Sequence, residues 1–245
     1  KSVIVMEPFE RSFGATLGNA LRRVLLSSIT GFAVTSVKIE NVPHEYSAIE
    51  GVKEDVLDII MNVKSLAITK DSSTPCVLKL VANQAGPVYA GAIEAPAGVN
   101  IINKDLLICT LSKGAKINIQ LNVECGKGYS TSENNRKSDN PVGTIVVDAM
   151  FSPVKRVAYK VENARVGQIT DFDKLIMEVD TNGSITPRDA VAVAAKILQD
   201  QLEVFINFDV AKIDVPVKKE SDSEPKFNKN LLKTIDELEL SVRSY

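Results

Sequence analysis

The 245-residue chain has no tryptophan and a single histidine, His44. One imidazole cannot build a histidine-rich metal site, and any Ser-His-Asp or Cys-His arrangement would have to be centred on His44. His44-Glu45 lacks the second histidine of a zinc-protease helix and reads as a polar turn before a helix. The three cysteines, Cys76, Cys109 and Cys125, are far apart and form no Cys-x-x-Cys pair, so they read as buried thiols in a reducing compartment. Charge of one sign is missing too: 29 Lys and Arg stand against 31 Asp and Glu, a net charge of −2. With no basic surplus and few aromatic rings, direct nucleic-acid binding lacks its usual means. No apolar run approaches the ~18 residues of a membrane span, and no secretory signal opens the chain, so a cytoplasmic protein without membrane contact is expected. No phosphate-wrapping Gly-x-x-x-x-Gly-Lys-Ser/Thr loop occurs, and Gly126-Lys127-Gly128 reads as a turn entering a strand at Tyr129. No acidic cluster suits two-metal nucleotidyl transfer. The expectation is a chain with no catalytic residue, no metal and no cofactor.

What is present is apolar patterning. At about 100° per residue, Leu17, Ala20, Leu21, Val24, Leu25 and Ser28 share one arc about 140° wide over Phe13 to Ser28. That predicts a first helix with a core-facing stripe. Asn19, Arg22, Arg23 and Leu26 fall on the other side, so Leu26 is either an isolated surface leucine or a contact for a partner. Thr30-Gly31 reads as a stop, and Val34 to Glu40 alternates like a half-buried strand. Val52, Val56, Ile59, Ile60 and Val63 recur at helical spacing and predict a second helix. From Cys76 to Val161 short strands broken by Gly, Pro and Asn predict a mostly antiparallel, β-rich unit. The polar stretch Thr131 to Asn140 reads as a loop whose Arg136-Lys137 is solvated.

Thr186 as N-cap, Pro187 at the first helical position and Asp189 in the first turn start a third helix running to about Phe205. Its stripe is Val191, Ala194, Ala195, Leu198, Leu202, Phe205 and Ile206, and Ala190, Val193, Ile197 and Val204 widen the arc to roughly 200°. One sheet cannot cover that width, so a second surface is expected, most simply the same helix or the first helix of another copy. Lys218 to Pro225 is charged and Pro/Ser-containing, as linkers are. The chain opens at Lys1 inside what reads as a strand, so residues before it are expected.

Six ordered blocks carry a family resemblance. They are Phe13-Gly14-x-Thr16-Leu17-Gly18-Asn19-Ala20-Leu21-Arg22-Arg23-x-Leu25-Leu26-Ser27-Ser28; His44-Glu45-Tyr46-Ser47-x-x-Glu50-Gly51-Val52-x-Glu54-Asp55; Ser152-Pro153-Val154-x-Arg156-Val157-Ala158-Tyr159; Ala164-Arg165-Val166-x-Gln168-x-Thr170-Asp171-x-Asp173-Lys174-Leu175; Thr181-Asn182-Gly183-x-Ile185; and Leu238 to Ser244. Together they resemble the N-terminal assembly region of the alpha subunit of bacterial DNA-directed RNA polymerase. The resemblance implies an α+β fold in two parts, a helix-and-sheet dimerisation domain interrupted by a β-rich insert domain. Here that gives residues 1–30 and 153–211 as dimerisation domain, 31–152 as insert, 212–237 as linker and 238–245 as the start of a further C-terminal domain.

The function so implied is a non-catalytic subunit of a nucleotidyltransferase, a homodimeric scaffold for transcription that docks the beta and beta-prime subunits within a larger assembly with omega and sigma. DNA contact would belong mainly to the C-terminal domain. Dimerisation would use Phe13, Leu17, Leu21, Leu25, Val191, Leu198, Leu202 and Phe205. Arg23, Leu26 and Asp58 would face beta in one copy, and Lys64, Val147, Val154 and Lys174 beta-prime in the other. For Val147 and Val154 plain strand core is the alternative. A different class of answer is an enzyme that gathers Glu178, Asp180, Asp171 and Asp173 around a metal or sugar, since Glu178 and Asp180 share one side of a strand. Against it, Lys174 to Asp180 alternates like an edge strand with its polar face in water, and Asp-x-Asp in a loop is ordinary turn chemistry.

Overall fold

A computed structural model describes residues 1–137, 141–167 and 169–206, without the side chain of residue 169. The expected linker and C-terminal start lie outside the described residues. Lys1–Val204 is one compact unit; of the second, Phe205–Tyr245, only Phe205 and Ile206 are described, both helical and exposed. Among the described residues the chain opens with β1 (Ser2–Phe9), α1 (Phe13–Ser27), β2 (Thr30–Ile39), α2 (Val56–Lys64) and β3 (Ile68–Lys70). It continues through β4 (Cys76–Ala82), β5 (Gly86–Tyr89), β6 (Ile93–Glu94), β7 (Val99–Ile101), β8 (Leu107–Leu111) and β9 (Ile117–Lys127). There follow β10 (Tyr129–Ser130), α3 (Ser132–Asn135), β11 (Thr144–Val146), β12 (Ala149–Met150), β13 (Val154–Val166), β14 (Ile169–Thr181) and α4 (Pro187–Ile206).

The strands pair antiparallel and sort by sequence position. Those at the two ends of the chain form a three-stranded sheet in the order β1-β14-β13. Those between form a seven-stranded sheet, β6-β4-β9-β2-β3-β7 with β11 also on β2, and the small pairs β5-β8 and β10-β12. Burial follows the same division. Leu21, Leu25 and Ile29 of the first helical segment meet Val154, Val157, Leu175, Met177, Val179, Ala190 and Ala194 in one core. The larger core lies within the middle strands and α2, from Val34 to Val147. A third, small cluster of Ala33, Ala149 and Phe151 lies where β2 runs beside Phe151.

Register explains the first core. Tyr159 faces Met177 and Val161 faces Leu175 across β13 and β14, while Ile4 and Met6 of β1 oppose the same two residues. Helix α1 lies on this face, and its close approach needs glycine: a Cβ on Gly14 would come within 2.9 Å of Val161 Cγ1, and one on Gly18 within 2.8 Å of Tyr159 Cδ2. Gly14, Gly18, Leu21 and Leu25 are therefore the buried residues of α1. The glycines carry no hydropathy signal yet mark the centre of the buried face. The face is consequently rotated from the expected stripe: Leu17, Ala20 and Val24 are half-buried, and Leu26 also packs against the core instead of lying among polar residues.

Other expectations are corrected. Strand β14 is the middle of its sheet, not an edge. Strand β2 begins at Thr30, with Gly31 inside it, and is buried on both faces from Ala33 to Val37, because Val34 and Val37 join the larger core while Ala33 packs with Ala149 and Phe151. A Cβ on Gly31 would run into the Phe151 carbonyl oxygen, so that glycine serves close approach and not a stop. Val52 precedes α2 and makes an isolated bridge with Leu111. Gly126 and Lys127 close β9, which leaves Gly128, with φ 61°, as the turn residue. The Thr131 segment holds the short α3, and Lys137 is ion-paired with Glu124. Helix α4 starts as its sequence signals: Thr186 Oγ1 accepts the Asp189 amide at 3.2 Å and donates to Asp189 Oδ2 at 2.6 Å.

Candidate interaction surfaces

The residues expected to join two copies divide by burial. Leu21 and Leu25 are 8% and 0% exposed inside their own chain, so their side chains hold α1 on its sheet and are not free for a second copy. Leu17 is half-buried, and Val191 and Leu198 are half-buried against the same core. Phe13 is 51% exposed and Leu202 55%. Phe205 is exposed in the second unit. On α4 only Ala190 and Ala194 are fully covered, because small residues one turn apart let the helix settle on the sheet. Val193, Leu202 and Val204 remain in solvent within the chain.

The next group lies on α1 and α2. Arg22 and Arg23 are exposed, and Arg23 has no ion pair among the described residues. Its carbonyl accepts Ser27 Oγ at 2.8 Å in the last turn. Asp58 is exposed in the first turn of α2, where the helix dipole favours a carboxylate. Leu57 and Met61 are exposed on the same helix, while Val56, Ile59, Ile60 and Val63 face the larger core.

Lys64 ends α2, where the dipole favours a cation. Its Nζ lies 2.6 Å from Asp148 Oδ1, with the two side chains 26% and 34% exposed. Tyr129 donates its hydroxyl to Asp148 Oδ2 at 3.0 Å. The Lys64 hydrogen bond, aided by that of Tyr129, holds the Asp148 carboxyl below its usual range. The same bond pushes the Tyr129 phenol up. Lys174 lies across from Glu7 of β1 at 3.4 Å. Val147 and Val154, expected at the beta-prime contact, are 5% and 4% exposed and belong to the two cores, so their side chains are not presented to a partner.

The carboxylates of the enzyme reading are dispersed among structural roles. Asp173 is buried and accepts the Gly14 amide at 3.0 Å, taking the place of an N-cap for α1, since Ser12 makes no side-chain cap bond. Asp171 pairs with Arg11 at 3.3 Å and Glu178 with Lys1 at 3.3 Å. Among the described residues no group of three or more His, Cys, Asp or Glu is arranged to hold a metal ion. Burial and the neighbouring Glu54 push the Cys109 thiol up to about 11, which leaves it protonated and unreactive at neutral pH. Glu54 itself, against the opposing effect of burial, is held below its usual value by the Thr110 hydroxyl and amide at 2.8 and 2.6 Å. No described helix is long and apolar enough to cross a membrane.

Sequence reasoning did not single out Asp148 or Tyr129. Lys64 and Asp148 are 84 positions apart, and nothing local to either announces the pair.

Residues 37–152 match the family model of the RNA polymerase Rpb3/RpoA insert domain. The matched stretch takes in α2 and most of the larger core. The match supports an RNA polymerase subunit of the alpha/Rpb3 type.

Proposed function

We propose that the chain is the alpha subunit of a bacterial DNA-directed RNA polymerase and acts as a homodimeric, cytoplasmic scaffold that docks beta through one copy and beta-prime through the other. The observation that carries this reading is the insert-domain match over residues 37–152, flanked by terminal segments that share a core of their own. On that basis residues 1–30 and 153–211 are the dimerisation domain and 31–152 the insert. The exposed Val193, Leu202 and Val204 of α4 support a second copy, because isolated domains rarely leave so many large apolar side chains near one another in sequence uncovered. Arg23, Leu26 and Asp58 are the proposed beta contacts; Lys64 and Lys174 are the proposed beta-prime contacts, with Val154 acting through β13, which it starts, and Val147 through the larger core it helps to fill. Omega and sigma would join the complete assembly.

Sedimentation of the purified chain, followed by capture of separately purified beta and beta-prime, tests the proposal. The expected result is a dimer that retains both large subunits, with Leu202→Asp giving a monomer or aggregate. A wild-type chain that sediments as a monomer at micromolar concentration and captures neither subunit would overturn it.

A further inference from the structure

Lys64 enters the proposed beta-prime contact as a cation, yet its ammonium is already engaged within its own chain. Asp148 Oδ1 takes Lys64 at 2.6 Å and Asp148 Oδ2 takes the Tyr129 hydroxyl at 3.0 Å, so each carboxylate oxygen has its own donor. The partners come from different elements: Lys64 from the last turn of α2, Asp148 from between β11 and β12, Tyr129 from β10. Two exposed side chains with apolar bodies adjoin this neutral pair. Tyr129 is 57% exposed and lies directly opposite Met150, itself 59% exposed, in the β10-β12 register.

We propose that beta-prime meets the closed Lys64–Asp148 pair with Tyr129 locked onto it, and that Asp148 is the positioning residue of this contact, in place of a free Lys64 charge seeking a partner carboxylate. The inference rests on the reading of Lys64 as a beta-prime contact. Its physical ground is desolvation. A subunit that covers Lys64 strips water from both partly exposed charges, and a lone ammonium would then need a carboxylate supplied by the partner. A pair that is already closed carries its own counter-charge under the interface. The contact is then made by Met150 and by the Tyr129 ring, which the hydroxyl's hydrogen bond to Asp148 positions before docking. Removing Lys64 alone leaves the Asp148 carboxylate covered without its cation; removing both charges leaves nothing unpaired.

A double-variant cycle on the full chain decides the matter, with binding of purified beta-prime measured in the presence of beta. Lys64→Met and Asp148→Asn each remove one charge and keep most of the side-chain shape. Each single variant is expected to weaken binding by about tenfold or more, and the double variant to return to within about threefold of wild type, since the coupling lies between two residues in contact. If the double variant binds as weakly as Lys64→Met, Lys64 contacts beta-prime directly, which overturns this inference and leaves the docking reading standing. If Lys64→Met binds like wild type, the docking reading of Lys64 itself fails. Should a single variant not fold, the neutral double variant alone decides on the same threshold. A second readout is specific to positioning: ultraviolet difference titration should show the Tyr129 phenol ionising at lower pH in Asp148→Asn, whereas an unchanged titration would mean that Asp148 does not hold Tyr129.

Discussion

Replacing Gly18 by alanine sets two measurable effects against each other. In a helix interior alanine is favoured over glycine by about 0.5–1 kcal/mol, so propensity alone predicts a more stable protein. The structure predicts the opposite. The added methyl would lie 2.8 Å from Tyr159 Cδ2 and 2.9 Å from Leu175 Cδ1, short of an unstrained carbon–carbon contact of ~3.5 Å by about 0.7 and 0.6 Å. Leu175 is fully buried in the middle strand β14 and cannot swing into solvent, and Tyr159 is held beside it by the β13–β14 register. Overpacking of this kind costs about 1–3 kcal/mol, which matches or exceeds the helical gain and leaves a net loss of up to about 2.5 kcal/mol. Urea unfolding of Gly18→Ala should show the midpoint lowered at unchanged slope. Asn19→Ala, on the exposed side of the same helix, serves as the control and should be neutral or slightly stabilising. Combining Gly18→Ala with Leu175→Val should cost less than the sum of the two single changes, because the shortened side chain vacates part of the space the methyl needs. A Gly18→Ala protein more stable than wild type would refute the close approach of α1 to the sheet.

Asp173→Ala removes the only side-chain acceptor at the first turn of α1 among the described hydrogen bonds and should destabilise the chain by about 0.5–2 kcal/mol, read as a lower thermal midpoint. Asp148 and Glu54 have folded-state pKa values below their ordinary 3.8 and 4.5, so their contribution is present above about pH 4.5 and is lost as pH falls through 4.5, 3.8 and then the folded values. Denaturation measured between pH 6 and pH 2 should therefore show a falling acid limb that is shallower in Asp148→Asn; an unaltered limb would show that the carboxylate gains nothing from Lys64. Arg23→Ala should leave the sedimentation of the dimer unchanged while weakening beta binding by about tenfold or more, as expected for one charged donor lost at an interface. Full recovery of beta with that variant would remove Arg23 from the docking surface.

What was legible in the sequence was local. Thr186, Pro187 and Asp189 are adjacent, and the cap they announce is the cap that forms. The spacing of Val56, Ile59, Ile60 and Val63 likewise names the buried side of α2. Illegible were contacts whose two ends are far apart or whose signal has no hydropathy. Gly14 and Gly18 mark the centre of the α1 contact yet weigh nothing in an apolar periodicity, which is why the expected stripe was turned away from Leu26. Polar alternation from Lys174 to Asp180 looks like an edge strand because the outer side of a three-stranded sheet is open to water even at its middle strand. The candidate contacts divide in the same manner. Exposure of Arg23 and Asp58 followed from helical phase, whereas engagement of Lys64 by Asp148 and burial of Val147 depend on strands that meet only in three dimensions.

The cap of α1 by Asp173 reaches back across 159 positions, and that distance orders events during synthesis. A ribosome delivers the chain from its N-terminus at about 5–20 residues per second, and units close as soon as their parts are present. Strands β2 to β11 and α2 have every member of their core by about residue 147, so this unit can close while α1 still waits. Helix α1, though made before this unit, has neither its acceptor nor its covering strands until β13 and β14 have emerged. For that interval Leu21, Leu25 and Ile29 are an uncovered apolar stretch on a chain whose middle is already folded. A segment made before the middle unit is thus sheltered only after it, and it is a part of the nascent protein on which a chaperone would act.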